Sequence, residues 1–581
     1  MGTTPSPSSL PPPTPPAPPT LTLKPGKAWA DAWRRCRETA PEAFTADGRL
    51  NSLRHGGWHG GGEAPPATSP VDGTPVAAAP ALDAATARDA VSDALARHRA
   101  WRHVALPERC ARVAAALDAL AEHRALLALL LVWETGAPWR HAQADVDRAV
   151  DGVRDHVGTI GTALRGRTCL PGPVENVTGP HHPVSDLVHA MLVEALAGNA
   201  VIARTPDEGG AACVSLACAL SVREGLPFTL VSGPPRRGDG EETAPATAQA
   251  QVSRHSLERE EPARWGLWEY SDWEQLTHLL RAAYGGAAHC GGRRPCAAGA
   301  RFAVQRSLLD DFLGAYLPAV RSARYGHPLA VASPEEPLPD LDFGPLSSAG
   351  TAAELSGLVR DAVGRGAVPV HRGSLAEGRF LPGQDTSAYL APTVLLLPSP
   401  SAAPPRSAQA YGPVDSIVAV DTEEELLAAM NSGHGGTCTG AATTGAATLC
   451  TDDRNVFDRL APRVRAAGTA HNGPRPRGGR EEHSGGEALV RAVTDGPSGE
   501  STSGGPGDRR SRAGTDPSGR RLDRPPGRAA RRKPRRAARS PGITEVKSAA
   551  GAWYGCPRRH GRAGRRPLSG WRNGRRASLR C

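Results

Sequence analysis

The chain has 581 residues and 11 cysteines at irregular spacing, which excludes a small disulfide-stabilised scaffold and predicts about two to four domains. The net charge of +10 is unevenly distributed, because residues 501–581 carry +19 and the preceding 500 residues carry −9. No apolar run approaches the roughly 18 residues of a membrane span and no signal sequence is recognised, so we expect a cytoplasmic protein without a membrane partner.

The first 82 residues show little periodic pattern. Residues 1–27 are rich in proline, which cannot continue a helix or a sheet ladder, so we expect a disordered leader. Residues 28–82 contain clusters of glycine and one helical stretch near Ala28–Cys36. We therefore predict a poorly defined N-terminal region over residues 28–82.

An alternation of helices and strands begins after this region. From Asp83 to Val132 apolar residues recur at helical spacing, which predicts a pair of amphipathic helices. Residues Leu187–Gly233 then predict a helix, a strand, a second helix and a second strand. Connections of this length join parallel strands, so the pattern indicates an α/β fold. No GxGxxG motif follows either strand, which excludes that dinucleotide fingerprint here.

The alternation continues to about residue 470. The pattern predicts helices over Trp273–Tyr284 and Glu423–Met430 and strands over Ala367–His371, Thr393–Leu397 and Val414–Val420. We expect a degenerate C-terminal segment over residues 471–500, and a disordered basic tail or a stretch read in a shifted frame over residues 501–581. The charge of that tail predicts weak, salt-dependent, nonspecific attraction to nucleic acid phosphates.

Five short motifs lie at Gly198–Pro206, Leu226–Gly233, Cys296–Val304, Ala391–Val394 and Tyr411–Val414. Their residues and their order along the chain resemble the aldehyde dehydrogenase superfamily. The resemblance implies a Rossmann-like cofactor-binding domain over residues 83–265 and an α/β catalytic domain over residues 266–470. It also implies NAD or NADP as cofactor, an aldehyde as substrate and a homo-oligomer as the assembly.

The resemblance places a catalytic nucleophile at Cys296, whose thiolate attacks the aldehyde carbonyl. Arg293 and Arg294 just before it favour the thiolate through their positive charge. Two alternatives stay open: Cys290 as the nucleophile, and a zinc site made by His289, Cys290 and Cys296. We favour the nucleophile at Cys296 with no metal.

Two further residues stand at catalytic positions of the family. Glu258 stands at the glutamate that activates water, and Glu260 or Glu261 are the alternatives. His181 stands at the asparagine whose amide holds the developing oxyanion. An imidazole N–H donates the same kind of hydrogen bond from a different geometry, so His181 implies an altered oxyanion hole.

The remaining expectations concern the cofactor. The resemblance places Arg204 at a ribose-binding lysine, Asp207 near a ribose-binding acid, and Gln409 at a glutamate that binds the nicotinamide ribose. Between Gly233 and Glu258 we find no counterpart of the strand and helix that cover the pyrophosphate. Two hypotheses follow: an NAD(P)-dependent aldehyde dehydrogenase, and a catalytically impaired member of the same fold with a binding or assembly role.

Overall fold

Helices and strands alternate along most of the chain. The computed structural model describes residues 20–62, 64–178, 184–205, 209–232, 253–257, 264–285, 299–399, 412–432, 446–466, 468–473 and 489–495. The helices are α1 Trp29–Thr39, α2 Ala84–Trp101, α3 Leu106–Glu122, α4 Arg124–Thr135, α5 Trp139–Ala163, α6 Val184–Ala197, α7 Ala211–Arg223, α8 Trp273–Gly285, α9 Leu309–Arg321, α10 Ala349–Gly364, α11 Glu423–Asn431 and α12 Arg454–Leu460. The strands are β1 Thr22–Leu23, β2 Ser52–Arg54, β3 Gly57–His59, β4 Ala67–Thr68, β5 Pro75–Val76, β6 Thr168–Cys169, β7 Val174–Thr178, β8 Val201–Arg204, β9 Phe228–Val231, β10 Ser253–Leu257, β11 Arg264–Leu267, β12 Arg301–Gln305, β13 Ala330–Val331, β14 Val368–Arg372, β15 Thr393–Leu397, β16 Val414–Val420, β17 Ala446–Cys450, β18 Gly468–His471 and β19 Thr494–Asp495.

The first sheet contains six described strands in the order β10-β7-β8-β9-β2-β3. β10, β7, β8 and β9 run parallel, and β2 pairs with β9 and β3 in the antiparallel direction. Val201 and Ala203 of β8 face α6 and α7, whereas Ile202 packs against α2. Both faces of β8 are therefore buried, as in sheets whose connections are helices.

The second sheet contains seven described strands in the order β14-β15-β16-β12-β11-β17-β18. All neighbours are parallel except β14 and β15. Phe302 and Val304 of β12 pack against α8 and α9, and Ala303 faces the cluster that contains residues of α10, α11 and α12. This alternation along β12 follows from the two-residue period of a strand and gives the sheet a core on each face.

The N-terminal region is better defined than the sequence indicated. Trp33 and Cys36 of α1 are buried, and Leu53 of β2 pairs with Leu230 of the first sheet. The indole of Trp133 donates a hydrogen bond to the Lys27 carbonyl at 2.8 Å. Glycines here mark turns between short strands and give no periodic pattern, so sequence periodicity missed strands that the sheet itself stabilises.

Three helices, rather than a pair, cover the stretch from Asp83 to Val132. The break between α3 and α4 falls at His123, where φ is −106° and ψ is 12°. Every residue of α4 from Leu126 to Thr135 is buried. A helix that is buried all round has no amphipathic period, which explains why the pattern did not separate it from its neighbour.

The ends of the two predicted domains also differ from the expected bounds. The second sheet includes Arg264 and Trp265 of β11, so the boundary expected after residue 265 falls inside a strand. Within the segment 471–500, Val493 is buried and β19 pairs with β6. All described residues belong to one compact unit, Met1–Ser503.

Among the described residues, no helix combines the length and apolar character that crossing a bilayer requires.

Candidate active site

The order in which the chain adds parallel strands to the first sheet reverses at β7. The chain passes from β7 through α6 to β8 and through α7 to β9, and it then returns to add β10 on the other side of β7. Open α/β sheets bind ligands in the crevice at such a reversal, outside the carboxyl ends of the strands. The topology therefore puts a candidate crevice beyond Thr178 of β7 and Leu257 of β10, which are paired in register.

Several predicted site residues follow the strand ends at this crevice. His181 comes shortly after β7, Glu258 directly after β10, and Asp207 after β8; all three lie outside the described residues, as do the alternatives Glu260 and Glu261. The described strand ends are nevertheless adjacent, because β10, β7 and β8 are neighbours and parallel. The strand ends from which these segments continue therefore lie side by side at the carboxyl edge of the first sheet.

The other predicted residues precede two adjacent strands of the second sheet. Cys296 and Gln409 each come five residues before a strand, β12 and β16 respectively, and both lie outside the described part of the chain together with His289 and Cys290. β12 and β16 are parallel neighbours, with Arg301 opposite Ser416. The segments therefore enter the second sheet side by side at its amino edge.

A short connection joins the two edges. β10 ends at Leu257 on the carboxyl edge of the first sheet, and β11 begins at Arg264 on the amino edge of the second. Six residues separate these ends, so their Cα atoms are at most ~25 Å apart. The two sets of predicted residues are thus attached to edges that one short segment links.

A buried carboxyl group anchors the segment that follows Cys296. The Ala300 amide donates to Oδ1 of Asp415 at 2.7 Å, and the hydroxyl of Tyr316 on α9 donates to Oδ2 of the same side chain. The Ser416 amide in turn donates to the Ala300 carbonyl at 3.0 Å. Burial raises the pKa of Asp415 to about 7, and the Ala300 amide opposes that rise. Asp415 thereby ties β12, β16 and α9 together at the amino edge.

Gly299 can lie close to the backbone of Val414 because glycine has no side chain. Its φ is +59°, and a Cβ at this position would lie 2.1 Å from the carbonyl oxygen of Val414. The backbone of the segment therefore passes directly against the start of β16, three residues after Cys296. Only glycine permits both the positive φ and the close approach.

Arg204 is the predicted cofactor residue that the structure describes, and it forms an ion pair on the first sheet. Its guanidinium contacts Oε1 of Glu175 on β7, at 2.8 Å from Nε and 2.6 Å from Nη2. The Glu175 side chain is 5% exposed and that of Arg204 is 20% exposed. The contact with Glu175 depends on strand register, which a single sequence does not reveal, so Glu175 was not among the predicted site residues.

The amino end of α7 is occupied by a carboxyl group of the chain itself. Oε1 of Glu134 accepts from the Ala212 amide at 2.8 Å, and Oε2 accepts from the Cys213 amide at 3.1 Å. Helix amino ends attract anions through their free N–H groups and the helix dipole. Since Glu134 already fills this position, the start of α7 is not open to a phosphate group.

We predict that Glu134 makes the protein less stable as the pH rises. Burial raises the pKa of Glu134 from 4.5 to about 7, so the folded state keeps a proton that the unfolded state releases between these values. The free energy of unfolding should therefore fall by about 3 kcal/mol from pH 4.5 to pH 7.5 on account of this group. Urea unfolding of wild type and Glu134→Gln across this range measures it.

The variant should show a shallower decline than wild type, because glutamine does not titrate. Its single carbonyl oxygen accepts only one of the two amides that Glu134 binds, so we expect Glu134→Gln to be the less stable protein at pH 5. Glu122→Gln, at an exposed site at the end of α3, is the matched control and should keep the wild-type slope. Equal slopes in all three proteins would contradict the prediction.

Among the described residues, a small cavity lies at the amino edge of the second sheet. This cavity, of about 20 Å³ near the start of β12, is lined by residues that include Arg264, Arg301 and Met430. This volume accommodates a water molecule and is far smaller than a ligand pocket. Within the described ranges, no group of three or more histidine, cysteine, aspartate or glutamate side chains is arranged to hold a metal ion. The zinc alternative stays a prediction, since its three residues fall outside those ranges.

Comparison with known proteins gives consistent matches. The sequence pattern of the aldehyde dehydrogenase family matches residues 58–256 and 240–488. A 3,6-anhydro-alpha-L-galactose dehydrogenase of Streptomyces coelicolor is 26% identical over 432 residues, which cover 68% of this chain and 82% of that protein. A succinate-semialdehyde dehydrogenase (NADP(+)) of Deinococcus radiodurans is 25% identical over 400 residues, 63% of this chain and 79% of that protein.

A solved structure has a similar fold over most of this chain. The NADP-dependent glyceraldehyde-3-phosphate dehydrogenase of Bacillus halodurans, complexed with NADP, superposes with a TM-score of 0.61 at 18% identity. The match covers 77% of this chain and 97% of that one. This likeness confirms the predicted α/β fold.

Proposed function

Since this chain belongs to the aldehyde dehydrogenase family, whose pattern matches it from residue 58 to residue 488, we propose that it oxidises an aldehyde to the carboxylic acid with NAD+ or NADP+. The observation that carries the proposal is the short connection between two strand edges. The segments bearing His181 and Glu258 leave the first sheet at its reversal point, and the segment bearing Cys296 enters the second sheet at the edge that Leu257–Arg264 links to it.

Arg204, at the carboxyl end of β8, supports a dinucleotide as the ligand of the crevice. Its side chain is 20% exposed, and its guanidinium carries hydrogen-bond donors that suit ribose hydroxyls. The Deinococcus radiodurans relative is named for NADP(+), and this agrees with a nicotinamide nucleotide as the hydride acceptor. Asp207 and Gln409 would complete the cofactor contacts.

Cys296 would act as the nucleophile. Its thiolate forms a bond to the carbonyl carbon, and the carbonyl oxygen becomes an oxyanion that a ring N–H of His181 would stabilise. A bound NAD(P)+ would supply the hydride acceptor that this oxidation needs, and loss of a hydride from that carbon would leave a thioester on Cys296. Glu258 would take a proton from water as the water oxygen attacks the thioester, so the C–S bond breaks and the carboxylic acid departs.

The proposal is tested by binding and turnover in the same samples. Isothermal titration with NAD+ and with NADP+ measures cofactor affinity, and absorbance at 340 nm follows the reduced cofactor with a panel of aldehydes. We expect saturable binding of at least one nucleotide and aldehyde-dependent reduction of it. Succinate semialdehyde and 3,6-anhydrogalactose belong in the panel because the named relatives are dehydrogenases of these compounds.

The outcomes separate the two hypotheses drawn from the sequence. Nucleotide binding together with turnover supports an aldehyde dehydrogenase. Nucleotide binding without turnover of any aldehyde favours a catalytically impaired protein with a binding role. A folded sample that binds neither nucleotide and oxidises no aldehyde overturns the proposed function.

A further inference from the structure

A side chain of β16, rather than its backbone, accepts the amide that precedes β12. The Ser416 amide donates to the Ala300 carbonyl at 3.0 Å, which continues the parallel pairing of β12 with β16 by one residue. In a parallel ladder the Ala300 amide would then donate to a backbone carbonyl of β16. Here it donates to Oδ1 of Asp415 at 2.7 Å. Asp415 therefore ends the ladder beside Gly299, whose φ is +59°.

The Asp415 carboxyl group is held in one orientation from α9. The Tyr316 hydroxyl donates to Oδ2, which leaves Oδ1 directed at the Ala300 amide. The Tyr316 ring is stacked on Phe312, with ring centroids 5.2 Å apart and an interplanar angle of 11°, and it also packs against Phe302. Asp415 is 4% exposed and Tyr316 is fully buried. Packing thus fixes the phenol, the phenol orients the carboxyl group, and the carboxyl group fixes Ala300.

The residue that Asp415 fixes follows closely on the proposed nucleophile. Ala300 comes four residues after Cys296 in the segment that enters β12, and Asp415 comes six residues after Gln409 in the segment that enters β16. The oxidation requires the thiol, the aldehyde and the nicotinamide to meet, and an error of about 1 Å at a reacting group lowers the rate about 10²-fold. A hydrogen bond between the starts of β12 and β16 limits how far one segment can shift against the other.

We propose that Asp415 is a positioning residue, which holds the segment bearing Cys296 against β16 in the place that the oxidation requires. The inference rests on the proposed function, because it takes Cys296 as the nucleophile. It assigns the role to the hydrogen bonds that Asp415 accepts from the Ala300 amide and the Tyr316 hydroxyl. A side chain of the same shape that keeps both contacts should therefore keep the activity.

Asp415→Asn and Asp415→Leu separate hydrogen bonding from packing. The asparagine carbonyl oxygen can accept from the Ala300 amide and its NH2 group can donate to the Tyr316 oxygen, whereas leucine fills the space and accepts nothing. We expect Asp415→Leu to lower kcat at least about tenfold and Asp415→Asn to stay within about threefold of wild type. In both variants KM and the Kd for the nucleotide should change less than about threefold, because other residues bind the ligands. Steady-state kinetics at 340 nm and isothermal titration measure these values.

Tyr316→Phe and Tyr389→Phe form a matched pair. Each removes one hydroxyl from a buried tyrosine, and the Tyr389 hydroxyl donates to the Val71 carbonyl of the N-terminal region at 2.9 Å. Both variants should unfold at a lower urea concentration than wild type. Only Tyr316→Phe should lower kcat, by about threefold or more, because its hydroxyl orients Asp415. This pair keeps the inference testable if Asp415→Leu does not fold.

Hydrogen–deuterium exchange measures the contact itself and needs no turnover. An amide in a stable hydrogen bond exchanges slowly, so the peptide that contains Ala300 should exchange faster in Asp415→Leu than in wild type. Asp415→Asn and Tyr389→Phe should exchange there at the wild-type rate. Faster exchange together with a lower kcat links the position of the segment to the reaction.

Three results would overturn the inference alone. They are a folded Asp415→Leu variant that keeps the wild-type kcat, an Asp415→Asn variant that loses as much as Asp415→Leu, and a Tyr316→Phe variant whose kcat equals that of Tyr389→Phe. In each case the wild type still oxidises an aldehyde, so the proposed function stands. A folded wild type that oxidises no aldehyde overturns the inference together with the proposed function.

Discussion

Replacing Cys296 with alanine is expected to lower aldehyde-dependent formation of reduced cofactor at least about 10³-fold. Without the thiolate no covalent bond to the carbonyl carbon forms, and the enzyme loses the route through a thioester. Binding of NAD+ or NADP+ should be unchanged, since the proposed nucleotide contacts come from other residues. Initial rates at 340 nm and isothermal titration on the same protein measure the two effects.

Cys290→Ala is the matched control for this experiment, because Cys290 is the other cysteine that the sequence leaves as a nucleophile. It should keep wild-type turnover. If turnover is lost in Cys290→Ala and retained in Cys296→Ala, the nucleophile is Cys290. If both variants keep their activity, the chemistry does not use either thiol. Loss in both variants together with a requirement for zinc would favour the metal alternative.

Alkylation gives an independent readout of the same prediction. Among the described residues, burial raises the pKa of the thiols of Cys36, Cys213, Cys218 and Cys450. Such thiols react slowly with iodoacetamide at neutral pH, because the thiolate is the reactive form. We expect mass spectrometry to locate the fastest alkylation at Cys296, with protection by a bound aldehyde. Preferential labelling of a buried cysteine would contradict this expectation.

Local sequence pattern predicted the helices and strands of one segment correctly. The segment Leu187–Gly233 was predicted as helix, strand, helix and strand, and α6, β8, α7 and β9 confirm each element. Its strands are short apolar runs bounded by glycine and proline, which is the pattern of a buried parallel sheet. In contrast, α5 spans Trp139–Ala163 and was not predicted, although it is 25 residues long.

The contacts that organise the candidate site were not predictable from one sequence. Asp415 occupies the second position of a predicted strand, and its anchoring role depends on Ala300 and Tyr316, which lie 115 and 99 residues away in the chain. Glu175 meets Arg204 only because β7 and β8 are paired in one register. Local pattern predicts elements, whereas these pairs arise from packing between distant elements.

Replacing Gly299 with alanine is expected to lower kcat about 10²-fold while nucleotide binding changes little. The new Cβ would lie 2.1 Å from the Val414 carbonyl oxygen, so the segment must move away from the start of β16. This movement begins three residues after Cys296, and a misplacement of about 1 Å at a reacting group lowers the rate by this order. Steady-state kinetics with the preferred aldehyde measure kcat and KM separately.

Gly383→Ala is the control that separates the effect of the steric clash at position 299 from the effect of backbone strain. Gly383 also has a positive φ, +72°, but nothing lies within 4 Å of a Cβ placed there. Both variants bear the strain of a left-handed alanine, about 1–2 kcal/mol, so both should lose stability in urea unfolding. Only Gly299→Ala should lose kcat, because only there does the side chain displace the segment that Asp415 anchors. An equal fall of kcat in the two variants would show that strain, and not the position of the Cys296 segment, limits the reaction.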